Sequence, residues 1–351
     1  VRVEKNKILA DFTSFKIGGK ADYFCSINNE KELLEALKFA REKKLKVFIL
    51  GGGTNVLAGD KGFRGLVIKI ELKGHRVLSD KHSVSTGDVL LIAEAGENWD
   101  NLVETAVARG LWGIENLSGI PGTVGAAPVQ NIGAYGCELS DVLEWVDVID
   151  TRTCKTKRLS TRECELDYRE SVFKRPKGKY FVVLRVAMRL QKEGKPNLEY
   201  KDLKEYFKNK SQLSLQEIRD AVLEIRSKKF PDTAKIGNAG SFFKNPVVSE
   251  KKFLELKKKY PNIPSFPFAA FASNSPDSYR VKVPLAWILD KICNLKGFSR
   301  GSAALWEKQP LVLANTGGAS AKDVKKFAEE IAKCVSSKTG IKLEWEVRNM
   351  L

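Results

Sequence analysis

The stretch Gly119–Gly136, GIPGTVGAAPVQNIGAYG, limits the fold more than any other part of the chain: its eighteen residues include five glycines, two prolines and no charged side chain. Glycine makes a segment costly to order, and proline fixes φ and removes a backbone donor, so neither a regular helix nor a regular strand suits it. A chain orders such a segment where its backbone must approach something closely, with amide N–H groups turned toward an anion or a flat polar ring. An apolar loop crossing the core is the competing reading.

A second glycine-rich turn lies upstream. Residues 30–44, EKELLEALKFAREKK, place Leu33, Leu34, Leu37 and Ala40 at helical spacing. The apolar run KVFIL, Lys46–Leu50, then predicts a buried strand, followed at once by GGGTN, Gly51–Asn55. Strand, glycine turn and small polar side chains make up a phosphate-facing loop, although neither the GxGxxG of dinucleotide folds nor the lysine of a P-loop is present. Asn55 could equally cap the turn.

Periodicity predicts further strands at Phe63–Ile70, Val89–Gly96, Val142–Asp150 and Lys179–Leu190. Helices are expected at Asn98–Gly110, Ser214–Lys229, Leu285–Leu295 and Ala321–Lys338, with a lysine-rich one at about Lys251–Tyr260. Ile341, Leu343, Trp345 and Val347 alternate, which predicts a last strand with Glu344 and Glu346 opposite Trp345. The proline-broken stretch Tyr260–Pro284 has aromatics but no period and reads as a long loop or covering arm. The mixture describes an α+β protein, and 351 residues exceed one ordinary core. Three domains are expected: 1–75, completed by the strand 341–351; 76–230; and 231–340. The second break falls at Phe230–Pro231, because a residue before proline is pushed out of the helical region.

Composition narrows the function classes. No apolar run approaches the roughly 18 residues needed to span a bilayer, and VRVEKNKILADFTSF lacks the apolar core of a secretory signal. A cytoplasmic protein is expected. Sixty Lys plus Arg against 43 Asp plus Glu give a net charge of +17. The excess is mostly lysine scattered through segments such as Lys201–Lys210, without a zinc finger, a paired stacking-aromatic motif or a basic low-complexity arm, so it fits a basic proteome or an anionic small substrate better than nucleic acid. Six cysteines form no CxxC pair and His75 and His82 are the only histidines, which argues against a zinc site and leaves acid–base work to other side chains.

Three short segments could carry chemistry. GNAGSFFKNP, Gly237–Pro246, sets Asn238, Ser241, Lys244 and Asn245 beside Phe242 and Phe243, so that buried aromatics could hold polar groups in place. A helix start capped by Ser241 or Asn238 is the plainer alternative. Arg169, next to Tyr168, offers a planar fork for a carboxylate or phosphate, or else a surface ion pair. Glu346 is either a functional carboxylate or a solvated one.

Taken together, GGGTNVL (Gly51–Leu57), the Gly119–Gly136 loop, DYRESVFK (Asp167–Lys174), GNAGSFFKNP, LAWILDKICNLKG (Leu285–Gly297) and LEWEVR (Leu343–Arg348) closely resemble the UDP-N-acetylenolpyruvoylglucosamine reductases, the flavoprotein family called MurB. The blocks occur in order along nearly the whole chain. The resemblance implies noncovalent FAD in a two-subdomain fold of the vanillyl-alcohol-oxidase type, and a third α+β domain closing over a UDP-sugar. LEYKDL, Leu198–Leu203, is similar to the longer form of the family, in which a loop tyrosine, here Tyr200, covers the substrate.

On that resemblance, Gly51, Gly52, Gly53, Thr54, Asn55, Gly119, Pro121, Gly122, Thr123, Gly125, Ala126, Gly133 and Arg348 would bind FAD. NADPH would reduce the FAD, and hydride would then pass to the terminal methylene of the enolpyruvyl ether. Arg169 would offset charge on the substrate carboxylate, with Glu346 near the same group, and Ser241 would protonate the adjacent carbon. Tyr168, Tyr200, Arg226, Lys229 and Asn245 would bind substrate, Arg226 and Lys229 at phosphates. Lys291 and Ala286 stand where members commonly carry glutamine and glycine. A monomer is expected, without metal. The rivals are another FAD oxidoreductase of the same fold acting on a sugar or alcohol, and a non-enzymatic basic binding protein.

Overall fold

A computed structural model describes residues 1–79, 88–210, 212–268 and 280–350. His82, residues 269–279 of the aromatic stretch and Leu351 lie outside the described residues. The chain divides into two compact units. The first comprises Val1–Lys7, Ala21–Gly53 and Phe63–Lys228; the second comprises Ile8–Lys20, Thr54–Gly62 and Lys229–Leu351.

In the first unit the strand Phe63–Ile70 pairs in parallel with Lys20–Ile27 on one side and Val47–Leu50 on the other. Parallel strands need a crossover, and the helix Glu30–Glu42 carries the chain between the two outer ones. Asn29 caps that helix by accepting from Glu32 N at 2.9 Å, and Leu33, Ala36, Leu37 and Ala40 form its buried stripe. Leu34, expected in the stripe, is exposed, because one residue is 100° of helical turn away from Leu33.

A second, antiparallel sheet in this unit has the order Lys155–Ser160, Leu143–Asp150, Phe181–Gln191, Asp88–Glu94, His75–Ser79. Its buried face shares one core with the helix Trp99–Ala108, whose Trp99, Leu102, Val103, Ala106 and Val107 are all buried. The helix Leu215–Lys229 ends where the second unit begins.

The second unit is built on an antiparallel sheet ordered Gly237–Ser241, Val312–Asn315, Ala303–Leu305, Ser299–Arg300. The helix Ala321–Thr339 supplies Val324, Phe327, Ala328, Ile331 and Val335 to the same core and stops at Gly340, whose φ of 70° terminates it.

Three expectations need correction. Leu285–Leu295 is not one α-helix: the turn Leu285–Trp287 continues as a π-helical turn, Ile288–Ile292. Ile341–Val347 alternates as foreseen, with Ile341 and Val347 buried, but forms only the isolated bridge Phe243↔Trp345. The regular strand is Arg348–Met350, parallel to Val56–Ala58. Alternation reports which side is buried, and a ladder also needs a neighbour in register. Finally, the described part of the aperiodic Tyr260–Pro284 stretch includes the strands Phe266–Phe268 and Arg280–Lys282. Three residues are too few for a period to show.

Candidate active site

In the first unit the two glycine-rich segments pack closely, Gly51 against the Thr123 side chain and Gly52 against the Gly122 backbone. A Cβ on Gly51 would stand 2.6 Å from Thr123 Oγ1, and one on Gly52 would stand 3.0 Å from Gly122 Cα. Gly53, Gly119 and Gly122 adopt φ of 66°, 69° and 128°, a region that L side chains rarely occupy. The amide of Gly125 is committed to Ala95 O at 2.8 Å, and its Cβ would meet Ala95 Cβ at 2.6 Å. Gly125 therefore serves close packing of the loop. The remainder of the loop folds as short turns, Val124–Ala126 and Ala127–Gln130, ending at Asn131 in the left-handed region.

The loop is tied at both ends. Gly119 donates from N to Asp100, which receives both Arg219 amino groups at 2.7 and 3.0 Å, and Gly119 O accepts from Arg226 Nε at 3.0 Å. Burial alone would raise the Asp100 carboxyl, but the Arg219 guanidinium and the Gly119 amide hold it below the ordinary value. At the far end Asn116, fully buried, donates to Tyr135 O at 2.9 Å and to Asn197 O at 2.8 Å. Tyr135 meets Tyr200 edge to face with ring centroids 5.2 Å apart. Burial pushes the Tyr135 phenol up to about 12, so it stays protonated at neutral pH.

Arg169 sits in a tight turn with φ of 53°, closed by mutual backbone bonds between Asp167 and Glu170. Its guanidinium donates to Asn131 O at 3.2 Å and to Gly133 O at 2.8 Å. The Tyr168 ring lies 5.6 Å from the same guanidinium carbon.

In the second unit, Gly237–Ser241 is a strand, which rules out the helix-start alternative. Its register slips between Asn238 and Ser241, where Gly240 turns to φ 68° and donates to Asn238 Oδ1 at 3.0 Å. Such a bulge re-aims the following side chain, here Ser241. Phe242 and Phe243 are fully buried, and Phe242 O accepts from Glu346 N at 2.9 Å. Ser241 and Glu346 are thereby carried on adjoining backbone. Asn55 clasps the terminal segment, donating to Glu346 O at 3.2 Å and accepting from Arg348 N at 3.0 Å. Asn245 Oδ1 accepts from Leu285 N at 2.9 Å and so caps the turn that follows. Lys229 closes the long helix.

Residues 21–160 match the family model described as FAD binding domain, and residues 231–350 match the one described as UDP-N-acetylenolpyruvoylglucosamine reductase, C-terminal domain. The reductase of that name from Shewanella baltica is 40% identical over 323 residues, spanning 92% of this chain and 90% of its own length. The chain belongs to the UDP-N-acetylenolpyruvoylglucosamine reductase family. The reductase from Neisseria gonorrhoeae is also 40% identical, over 96% and 94% of the two chains. Among solved structures, MurB from Thermus caldophilus matches 100% of this chain and 99% of its own with a TM-score of 0.65 at 25% identity. The fold is accordingly α+β, an FAD binding domain joined to the reductase C-terminal domain.

The residues present fit FAD. Where Gly51 and Gly52 pack on Thr123 and Gly122, the lack of side chains brings two glycine-rich turns together, the kind of bare backbone that can hold a pyrophosphate. Among the described residues no group of three or more His, Cys, Asp or Glu side chains could hold a metal ion, and no helix is long and apolar enough to cross a membrane.

Asn116, Asn131, Asp100 and Arg219 went unnoticed in the sequence. Asn131 lies inside the glycine-rich segment but is neither glycine nor proline, the residue types that mark that segment. Asp100 and Arg219 are 119 residues apart, and nothing local marks them as a pair.

Proposed function

We propose that this chain reduces UDP-N-acetylglucosamine enolpyruvate to UDP-N-acetylmuramate at the expense of NADPH, a step of peptidoglycan precursor synthesis. The observation that carries this reading is the match to reductases of that name at 40% identity along nine-tenths of their length. FAD, when bound, supplies the two-electron carrier between NADPH and the enolpyruvyl double bond.

The chain's own residues do the rest. As the terminal methylene carbon gains hydride, negative charge spreads onto the substrate carboxylate, and the Arg169 guanidinium offsets it. Ser241 Oγ delivers a proton to the neighbouring carbon, the bulge before it setting the direction. Glu346, on backbone adjoining Ser241, is assigned to the same carboxyl group; two carboxyls so close are tolerated when one is protonated or when Arg169 intervenes. Lys229 serves as a point charge at a substrate phosphate. Arg226, with Nε on Gly119 O, also steadies the glycine-rich loop, and Tyr200 caps the bound nucleotide from its loop. Thr54, Asn55, Pro121, Ala126 and Arg348 complete the FAD contacts, and Tyr168 and Asn245 those to substrate. The chain is read as a monomer acting in the cytoplasm, where NADPH and UDP-sugars are found.

The purified chain is expected to carry a flavin absorption band that NADPH bleaches anaerobically and the enolpyruvyl sugar nucleotide restores. Bleaching by simple sugars or alcohols, with no recovery on adding the enolpyruvyl sugar nucleotide, would favour an oxidase of the same fold, and a colourless protein that takes up no FAD would refute both.

A further inference from the structure

Arg169 can compensate charge only if its guanidinium is held still, and the structure shows what holds it. Both contacts described above are to main-chain carbonyls of the glycine-rich loop, Asn131 O and Gly133 O. Gly133 leaves room for this approach: a Cβ there would stand 3.2 Å from Arg169 Nη1.

One of those carbonyls belongs to Asn131 itself and the other lies two residues on. Asn131 occupies the left-handed region with φ 40° and is 1% exposed. Its side chain bridges three separate pieces of backbone and side chain. Nδ2 donates to Glu138 Oε2 at 2.8 Å, to Asp167 O at 3.1 Å and, more weakly, to Ser140 Oγ at 3.4 Å, while Oδ1 accepts from Ser140 N at 3.0 Å. The bond to Asp167 O grips the turn that presents Arg169, and the Asn131 carbonyl grips its guanidinium. One buried asparagine thus fixes the arginine from both its backbone and its head group.

We propose that Asn131 is the positioning residue for Arg169, orienting the guanidinium toward the substrate carboxylate without touching substrate itself. The inference rests on the reading of Arg169 given above. An amide suits the task because it donates and accepts at once, and asparagine tolerates the left-handed backbone better than other side chains.

The test is a double-mutant cycle read in two half-reactions by anaerobic stopped flow: flavin bleaching by NADPH, and flavin recovery on adding the enolpyruvyl sugar nucleotide. Asn131→Gly keeps the backbone region open and removes only the side-chain ties. It is expected to slow recovery about 10–100-fold, the scale of a misplacement near 1 Å, while bleaching stays within about twofold. Introduced into Arg169→Lys, the same change should slow recovery by less than about twofold, because residues acting as one unit are not additive. Asn131→Asp, which keeps the acceptor for Ser140 but loses both donors, should show the same selective loss and serves if the glycine variant fails to bind FAD. Wild-type recovery in Asn131→Gly, equal loss in both half-reactions, or additive losses in the double variant would overturn the inference while leaving Arg169 its role. Wild-type recovery in Arg169→Lys would instead overturn the role of Arg169, and this inference with it.

Discussion

At the scale of single residues, the glycines at 51 and 240 respond differently to substitution. A methyl group on Gly51 would lie 2.6 Å from Thr123 Oγ1, so Gly51→Ala must turn the Thr123 side chain or part the two loops. The expected result is a chain that folds but purifies with little FAD, checked by the ratio of flavin to protein absorbance. Gly240 differs, since a Cβ there meets nothing within 4 Å and only its φ of 68° matters. Gly240→Ala should therefore cost about 1–2 kcal/mol through the left-handed backbone alone, measurable by urea denaturation, with FAD content unchanged. Tyr135, protonated with its phenol at about 12, contributes an edge-on ring contact to Tyr200. Tyr135→Leu is expected to raise KM for the sugar nucleotide more than it lowers kcat, by loosening the Tyr200 loop.

At the scale of elements, the sequence showed what period and punctuation can show. The strand at Phe63–Ile70 and the helix over Leu215–Lys229 lie within a residue of their expected bounds because long periodic runs with clear stops leave little choice. The glycine-rich loop and the Ser241 segment stood out because each pattern suits neither helix nor strand. What stayed hidden depends on partners distant along the chain. The bulge that turns Ser241 is defined only against Val312, and the Arg348–Met350 strand only against Val56–Ala58. The ion pair between the helices Trp99–Ala108 and Leu215–Lys229 is of the same kind. Arg219→Met would leave Asp100 with neither of its guanidinium bonds, and should destabilise the chain by about 2 kcal/mol. That is less than the roughly 3–5 expected of a fully buried pair, because 29% of the Asp100 side chain remains exposed.

At the scale of the whole molecule, charge links these parts to solution behaviour. Asp100 is held below its ordinary value, and Glu163 and Glu217 are drawn down to about 2 by lysine and serine partners. Carboxyls with lowered folded values contribute stability that is complete above about pH 4, where the unfolded groups are ionised, and is lost as the pH falls through the folded values. Acid unfolding should therefore steepen below about pH 4, and Asp100→Asn should remove part of that dependence. The net charge of +17 should speed capture of the anionic nucleotides, so kcat/KM is expected to fall as salt shortens the screening length to below about 10 Å. The central claim, that Ser241 protonates a carbon made basic by hydride addition, is tested most directly by Ser241→Ala in the two half-reactions followed separately. NADPH should bleach the flavin at close to the wild-type rate, while recovery with the enolpyruvyl sugar nucleotide should slow by about 10²–10⁴-fold, the usual worth of a general acid. Unchanged recovery, or the same loss in both half-reactions, would contradict it.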